Sequence, residues 1–204
     1  MSLGDELTEL AEERQATLEI FRMQQLCVDP GELARTLLVL VRRYSGCEAV
    51  AIRLRQGPDY PYVASRGFSK DFLAAENFLC AKDEAGCLLR DAKGHPLLEC
   101  MCGKVLAGRI DTALPFFTER SFFTNGTTEL FASITPDHQR ERSRDRCITT
   151  GYESMALIPI RLEDHVFGLF QCNDRRRNRF TPESIALLED LAASAAHLFQ
   201  LAMV

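Results

Sequence analysis

Two apolar segments joined by a short polar turn limit the possible folds of this chain more than any other feature. Residues 153–160 and 166–172 are rich in aliphatic and aromatic side chains, and the turn between them reads Leu-Glu-Asp-His. A second pair lies nearer the start of the chain, with an alternating strand over residues 49–54 and a returning segment over 60–65. Paired short strands of this kind are typical of β-hairpins, which build antiparallel sheets. The sequence therefore predicts a central, mainly antiparallel sheet.

Three helices are predicted beside these strands. A charged helix with a narrow apolar stripe covers residues 5–27, and a second helix covers residues 30–44. Asp29 stands at the N-cap position of the second helix, and the last helix starts at Pro182 behind a capping Thr181. A helix with one apolar face has to bury that face, so we expect these helices to cover one side of the sheet.

A polar stretch separates the two hairpins. Residues 69–151 carry few continuous apolar runs, and within them we expect only a small hairpin around residues 91–94 and a short helix over 127–133. The order of elements is helix, helix, hairpin, irregular middle, hairpin and helix. This order predicts one α+β domain over residues 29–204, preceded by a connector helix over residues 1–28.

The composition is that of a folded globular protein. Of the 204 residues, 46% are hydrophobic and 26% are charged, so intrinsic disorder is excluded. The formal net charge of −5 and the isoelectric point near 5.5 disfavour non-specific nucleic-acid binding. The chain has no basic-then-apolar leader and no uninterrupted apolar run near the roughly 18 residues of a spanning helix. We therefore expect a cytoplasmic protein without a nucleic-acid partner and without membrane insertion.

Eight cysteines are more than a cytosolic domain of this size usually carries. A disulfide framework belongs to short secreted chains, so we expect these cysteines to be reduced. Three of them lie in helix or strand patterns and are predicted to be core residues, namely Cys27, Cys47 and Cys172.

Four further cysteines come from the irregular middle and are candidate metal ligands, namely Cys80, Cys100, Cys102 and Cys147. Four thiolates from separate loops could form the tetrahedral site that a structural zinc ion or an iron–sulfur cluster prefers. The spacing of Cys100 and Cys102 is C-x-C, however, and not the C-x2-C that makes a zinc site a strong prediction. Two alternatives stay open, namely buried thiols that only fill space and redox-active thiols.

A candidate ligand site lies in the segment SFFTNGTTELFAS, residues 121–133, which places aromatic rings beside hydroxyl and amide groups. A small-molecule pocket needs apolar walls and a few polar groups that fix the orientation of the ligand. The alternative is that the two phenylalanines are core residues and that Asn125-Gly126 is a turn. The candidate ligand-binding residues are Phe122, Phe123, Thr124, Asn125, Thr127 and Thr128.

The C-terminal run ESMALIPIRLEDHVFGLFQCNDRRRNRFTPESIALLEDLAASAAHLFQLA resembles the end of a GAF domain. The residues that carry the resemblance are Pro159-Ile160, Gly168, Asn173, Phe180-Thr181 and the helix after Pro182. The earlier run LVRRYSGCEAVAIRLRQG is similar to the first strand of that family and the helix before it. The likeness covers roughly residues 30–204. In the middle, ENFLCAKD, LLECMCGKVLAG, SFFTNGTTELFAS and RDRCITTGYES resemble the GAF modules of bacterial and archaeal sensor histidine kinases.

The resemblance implies a GAF-like α+β fold of the PAS/GAF type, with the N- and C-terminal helices on one face of the sheet and a Cys-rich loop layer on the other. It also implies a sensory module that binds a small ligand, a metal or a redox signal. Such modules relay the signal through their terminal helices to adjacent PAS or kinase domains, and they usually work as homodimers. The chain shows no catalytic-histidine helix and no Gly-rich nucleotide-binding box, so we expect a sensor and not an enzyme. The alternative is a GAF-type thiol enzyme such as a free methionine sulfoxide reductase.

Two ligands known from other GAF modules are not expected. The chain has no Cys-His dipeptide, which weakens a bilin attachment site of the phytochrome type. It also lacks the residue pattern of GAF modules that bind cyclic nucleotides.

Overall fold

In the computed structural model, which describes residues 29–133 and 146–202 together with residues 11, 14, 15 and 18, the core is one five-stranded sheet. The strands are β1 (Ala49–Leu54), β2 (Tyr62–Arg66), β3 (Phe122–Thr124), β4 (Ser154–Leu162) and β5 (His165–Asp174). Their order across the sheet is β2-β1-β5-β4-β3, and each neighbouring pair is antiparallel. The predicted α+β class with an antiparallel sheet is confirmed.

Six helices accompany the sheet in the described ranges 29–133 and 146–202. They are α1 (Pro30–Ser45), α2 (Lys70–Glu76), α3 (Cys100–Leu106), α4 (Thr127–Ser133), α5 (Arg146–Thr149) and α6 (Pro182–Ala202). The predictions of α1, α4 and α6 are confirmed, whereas α2, α3 and α5 were not predicted. The predicted helix over residues 5–27 falls mostly outside the described residues, and the four of its residues that are described are helical and exposed.

The ends of α1 and α6 follow from local side-chain chemistry. The Asp29 carboxylate accepts a hydrogen bond from the Glu32 amide at 2.9 Å and so caps the first turn of α1. At the start of α6, the Thr181 hydroxyl accepts from the Ser184 amide at 3.2 Å, and the Ser184 hydroxyl accepts from the Thr181 amide at 2.9 Å. This reciprocal pair is a capping box in which serine takes the place of the usual glutamate.

The terminal helices α1 and α6 pack together on one face of the sheet. Leu37 and Val41 of α1 and Leu188 of α6 are buried in the same cluster as Ile52 and Phe170 of the central strands. The length and composition of α6 would also fit a membrane span. Its apolar face, however, already covers the sheet, as expected of a core helix in a globular domain.

The opposite face of the sheet is covered by a loop layer, which we define as α2, α3, α5 and residues 77–99 between α2 and α3. Phe72 of α2 packs against Ala49 and Ala51 of β1, while Val105 of α3 packs with Leu157 of β4. As a result, β4 and β5 are buried on both faces over most of their length. Both faces are covered because the middle of the chain folds back over the face opposite α1 and α6.

The chain between α2 and α3 forms a compact unit of three short segments. The Ala81 amide donates to the Leu97 carbonyl at 2.8 Å, and the Leu89 amide donates to the Ala81 carbonyl at 2.9 Å. The Leu97 amide donates to the Leu89 carbonyl at 2.9 Å, so each segment pairs with the other two. Two equivalent turns connect the segments, and in each an aspartate, Asp83 or Asp91, accepts a bond from the amide four residues ahead. The small hairpin predicted around residues 91–94 is therefore present as half of a repeated eight-residue unit.

Candidate functional site

Polar side chains line the centre of the sheet on its loop-layer face. Along β5, Phe170 and Cys172 point toward α1 and α6, because both belong to the core under those helices. Side chains alternate between faces along a strand. Gln171 and Asn173 therefore lie on the other face, where they are 1% and 0% exposed. Buried amides without a polar partner are costly, so each should be hydrogen-bonded.

Gln171 is the centre of a hydrogen-bonded network across three strands. Its Oε1 accepts a bond from the Tyr62 hydroxyl of β2 at 3.0 Å and lies 3.5 Å from Nε of Arg53 in β1. Its Nε2 donates to Oδ1 of Asn173 at 3.2 Å. We call the side chains of Arg53, Tyr62, Cys102, Cys147, Gln171 and Asn173 the Gln171 cluster.

Arg53 joins this cluster to the loop layer. The residue is 1% exposed, and its guanidinium lies over the Tyr62 ring at 3.6 Å from the centroid. The guanidinium donates to three backbone carbonyls, those of Tyr60 at 2.8 Å, Glu76 at 2.6 Å and Asn77 at 3.0 Å. One buried cation therefore holds β1, the chain before β2 and the end of α2 together.

Two thiols complete the cluster from the side of the loop layer. Cys102 in α3 places its Sγ 3.9 Å from Oε1 of Gln171, and Cys147 in α5 places its Sγ 3.8 Å from Nε2 of the same side chain. Burial raises the pKa of the Cys102 thiol to about 12, and the positive charge of Arg53 acts against this effect. Burial also raises the pKa of the Cys147 thiol well above its usual range. Both thiols are therefore protonated near neutral pH.

The four cysteines predicted as metal ligands are placed differently from one another. Cys100, Cys102 and Cys147 influence one another electrostatically, which puts them in one region. Cys80 instead lies against the chain before β2, where its Sγ is 3.2 Å from the Pro58 carbonyl oxygen. Among the residues that the structure describes, no group of three or more His, Cys, Asp or Glu side chains is arranged to hold a metal ion. The four-cysteine site stays a prediction.

The cysteines predicted as core residues are buried where the structure describes them. Cys47, which follows α1, is 3% exposed, and Cys172 in β5 is 0% exposed. Cys27 lies outside the described residues.

The six predicted ligand-binding residues do not share one surface. Phe122 lies on the loop-layer face with Leu157, whereas Phe123 packs against the cluster under α1 and α6. Asn125 bonds the backbone of Phe180 through both ends of its amide, at 2.8 and 2.9 Å. This pair of bonds fastens the link before α6 to the end of β3.

The hydroxyl groups of the same segment also make bonds that hold the fold. Thr127 donates to the carbonyl of Tyr152, and Thr128 donates to the carboxylate of Glu153. Thr124 is 9% exposed, and its hydroxyl accepts from the Gly126 amide at 3.3 Å. A ligand at these positions stays a prediction, and most of their polar groups already have protein partners.

Sequence reasoning missed the polar members of the Gln171 cluster. Arg53, Gln171 and Asn173 stand inside apolar strands, at positions that alternate with buried residues. Such a pattern is typical of a strand with one face in solvent. The only available signal was the repetition of a polar residue on the same face of two neighbouring strands.

Solved structures with the same fold are known. The GAF domain of a phosphoenolpyruvate-protein phosphotransferase from Coxiella burnetii has a TM-score of 0.59 at 15% identity, covering 97% of this chain and 95% of that chain. The corresponding domain from Acinetobacter has a TM-score of 0.57 at 15% identity, with 100% and 96% covered. A domain assigned to a two-component sensor histidine kinase of Sinorhizobium meliloti 1021 has a TM-score of 0.53 at 14% identity, with 85% and 92% covered. Identities this low show the fold alone.

A comparison with curated proteins found no match. A family model described as the GAF domain matches residues 29–198. GAF domains are generally regulatory sensors, in agreement with the fold and with the sensory role that the sequence predicts. Because the match covers most of the chain, this protein belongs to the GAF domain family.

Proposed function

We propose that this chain is the sensor module of a two-component histidine kinase or a closely related signalling protein, and that it receives its signal at the Gln171 cluster. The observation that carries the proposal is the position of this cluster in β5. Gln171 and Asn173 lie under the loop layer, while Phe170 and Cys172 of the same strand pack under α1 and α6. A structural change at Gln171 and Asn173 would therefore shift β5 and alter how Phe170 and Cys172 pack under α1 and α6.

Transmission requires two states of the domain with different affinities for the signal. Close packing makes the sheet and helices respond as a unit, since a displaced strand disturbs every side chain that it contacts. The terminal helices α1 and α6 then carry the change toward neighbouring domains. We propose PAS or kinase domains as those neighbours and the cytoplasm as the location.

The proposed relay is tested by replacing Gln171. We expect Gln171→Leu to speed the hydrogen exchange of α6 backbone amides by at least about tenfold, because a loss of about 1.4 kcal/mol in local opening free energy has that effect. The control is Phe72→Leu, which weakens the loop layer at a side chain outside the cluster. The two variants are compared at urea concentrations that give equal global stability. Equal exchange rates in α6 for both would contradict a relay through β5.

The alternative is a free methionine sulfoxide reductase. That chemistry needs an exposed thiolate that attacks the sulfoxide and a second thiol that resolves the intermediate. Burial raises the pKa of Cys80 and of Cys102 to about 12, which works against a thiolate near neutral pH. Turnover of free methionine sulfoxide in a thioredoxin-coupled assay, abolished by Cys102→Ser, would favour the enzyme instead.

We further propose that the module works as a homodimer through its terminal helices. In α6, Leu187, Leu191, Ser194 and Leu201 are spaced by four, three and seven residues, which places them near one face of the helix. Leu198, which lies between Ser194 and Leu201 in this spacing, is buried in the core of its own domain. Leu187 is 46% exposed and Leu201 is 66% exposed, so apolar surface remains uncovered along this face. Leu18 of the connector helix is 46% exposed as well. A second copy of the chain could cover these residues around a two-fold axis.

The dimer is tested with a charge on this face. We expect Leu201→Glu to raise the dimer dissociation constant by at least about tenfold, because a buried carboxylate at a coiled-coil seam costs more than about 1.4 kcal/mol. The neighbouring exposed residue gives a matched control, Gln200→Glu, which should leave the constant unchanged. Sedimentation equilibrium measures both. A monomer mass for the unmodified chain at high concentration would contradict the dimer.

A further inference from the structure

The amides at the centre of the Gln171 cluster are closed off from solvent. Gln171 is 1% exposed and Asn173 is 0% exposed. A small molecule can therefore reach this cluster only if one of the elements that cover it moves. Segments that open locally are those with few buried apolar contacts, so the three helices of the loop layer can be compared by what anchors them.

Two of these helices, α2 and α3, are firmly anchored. Helix α2 buries Phe72 against β1, and its last carbonyl accepts a bond from the buried Arg53 guanidinium at 2.6 Å. Helix α3 buries Val105. It also lies so close to the preceding chain that a Cβ atom at Gly103 would be 2.6 Å from the carbonyl carbon of Leu98. Neither helix can move without breaking close-packed contacts in the core.

Helix α5 has weaker anchors. None of its 4 residues is buried. The Cys147 sulfur lies 3.8 Å from Nε2 of Gln171, and the Arg146 guanidinium forms an ion pair with the Glu76 carboxylate at the end of α2, with 3.5 Å between Nε and Oε1. A single helical turn is not stable by itself, so contacts of this kind hold α5 in place.

The ion pair between Arg146 and Glu76 lies at the rim of the Gln171 cluster. The Arg146 side chain is 53% exposed, whereas the Glu76 side chain is 7% exposed. The Glu76 carboxylate also acts electrostatically on the thiols of Cys102 and Cys147. Because the cation faces solvent, salt weakens the pair. The pair can therefore break without disturbing the core.

The chain directly after α5 is suited to act as a hinge. Gly151 has a φ of +84°, and a Cβ atom at this position would meet nothing within 4 Å. Glycine accepts large changes of backbone conformation. The next residue, Tyr152, is 2% exposed and packs against the rings of Phe68 and Phe72. Helix α5 can therefore turn about Gly151 while Tyr152 stays in place.

The closed position of α5 leaves one buried group poorly bonded. Nδ2 of Asn173 lies next to the Cys147 sulfur but makes no hydrogen bond in the part of the chain that the structure describes. A thiol sulfur is a weak acceptor, and a buried N–H group without a partner is costly. Water that enters when α5 moves would supply the missing acceptor. The closed position is thus less favourable than a fully bonded one, which lowers the free energy of opening.

We propose that α5 is a lid over the Gln171 cluster, that the ion pair between Arg146 and Glu76 holds it closed, and that its opening admits the signal. This inference rests on the Gln171 cluster being the input site. The lid opens by rotation of α5 about Gly151, which removes Cys147 from the two amides and exposes them to solvent.

The experiment measures how fast iodoacetamide, a small neutral reagent, modifies individual cysteines of the full chain. Peptide mass spectrometry with fragment ions identifies each modified thiol. Cys147 and Cys102 report on the cluster, and Cys172, which is 0% exposed under α1 and α6, reports on global unfolding. The thiolate is the reactive form, so a buried thiol reacts through openings that expose it to solvent.

We expect Arg146→Gln to speed the modification of Cys147 and Cys102 by about fivefold to tenfold, because it leaves a nearly buried carboxylate without this partner. Cys172 should react at an unchanged rate. In the unmodified chain, about 0.5 M sodium chloride should speed the same two thiols, and the variant should not respond to salt. The substitution removes a positive charge beside Cys147, which disfavours the thiolate, so faster modification reports opening and not a more reactive thiol.

Two control variants separate the lid from a general loss of charge. Arg146→Lys keeps the cation and should keep the rates of the unmodified chain. Arg177→Gln removes a cation of similar exposure, 48%, which pairs with Glu129 on α4, and it should also leave the rates unchanged. Far-UV circular dichroism and thermal unfolding show whether each variant is folded.

Three results would overturn the lid. They are an unchanged rate for Cys147 in Arg146→Gln, an equal acceleration of Cys172, and an acceleration of Cys147 without Cys102, which would mean that α5 moves without opening the cluster. If the rates ignore Arg146→Gln while Gln171→Leu still alters exchange in α6, the lid is wrong and the sensor proposal stands. If the lid opens as expected but exchange in α6 does not respond to Gln171→Leu, the lid stands without the relay.

Discussion

Arg53→Met is expected to lower the free energy of unfolding by about 4 kcal/mol. The substitution removes a buried cation and leaves the carbonyls of Tyr60, Glu76 and Asn77 without their donor. Hydrogen bonds to a charged group contribute about 1.5–3 kcal/mol each, and a buried carbonyl that loses its donor keeps its desolvation penalty. Methionine retains most of the apolar volume, so the loss arises mainly from these bonds and from the contact with the Tyr62 ring.

Urea unfolding followed by circular dichroism measures this change. The control is Arg55→Met, two residues along the same chain segment, where the side chain is exposed and donates to the Gly57 carbonyl at 3.3 Å. We expect that control to change the free energy of unfolding by less than about 0.5 kcal/mol. Equal effects of the two substitutions would show that Arg53 does not hold the loop layer on the sheet.

The outer elements of the fold were predictable because their signals are local. Asp29 and Thr181 cap the helices that they were predicted to cap, and each helix is long enough to show an apolar period. The strands of both hairpins were found for the same reason, since alternating and continuous apolar runs act within a few residues. Helices α2, α3 and α5, which have 7, 7 and 4 residues, were missed, although α4, also of 7 residues, was predicted. Helices that short are stabilised by the surfaces on which they pack and not by their own sequence.

The candidate site was less predictable than the fold. The importance of Cys102 and Cys147 was visible in the sequence, because cysteines are unusual in a polar segment. Their common neighbour Gln171 was not, since a single glutamine in a strand is typical of a solvent-facing position. Only the folding of the middle of the chain over the sheet turns Gln171 and Asn173 into buried groups. That event depends on contacts between residues distant in sequence, which periodicity does not reveal.

Gly168 and Asn173, two of the residues that carry the resemblance to GAF domains, both have a structural role in β5. A Cβ atom at Gly168 would lie 2.0 Å from the carbonyl oxygen of Arg53, so only glycine allows β5 to approach β1 at this point. Asn173 is buried on the same strand. Gly168 thus sets the close approach of β5 to β1, while Asn173 lies on the loop-layer face beside Gln171.

Asp174, at the end of β5, connects the sheet to both terminal helices. Its fully buried carboxylate accepts bonds from the Arg176 backbone and side chain and from the Glu48 amide that precedes β1. Arg179 lies 3.7 Å from the same carboxylate and also donates to the Gly46 carbonyl at the end of α1 at 2.7 Å. A change in β5 reaches α1 and the start of α6 through this carboxylate.

Asp174→Asn is expected to lower the free energy of unfolding by about 3 kcal/mol at pH 7, because it removes one partner from a buried ion pair.

Burial alone would raise the pKa of Asp174, but the hydrogen bonds from Arg176 and Glu48 outweigh burial and lower it. The stabilisation is therefore complete above the unfolded-state pKa of about 3.9 and is lost as the pH falls through the lower value of the folded state. Below about pH 4, the unmodified chain should lose stability more steeply than Asp174→Asn, and the two curves should converge. Urea unfolding at a series of pH values measures both curves, with Asp164→Asn in the exposed turn before β5 as the control. Parallel curves for the unmodified chain and Asp174→Asn down to pH 3 would show that the ionised carboxylate does not join the sheet to the terminal helices.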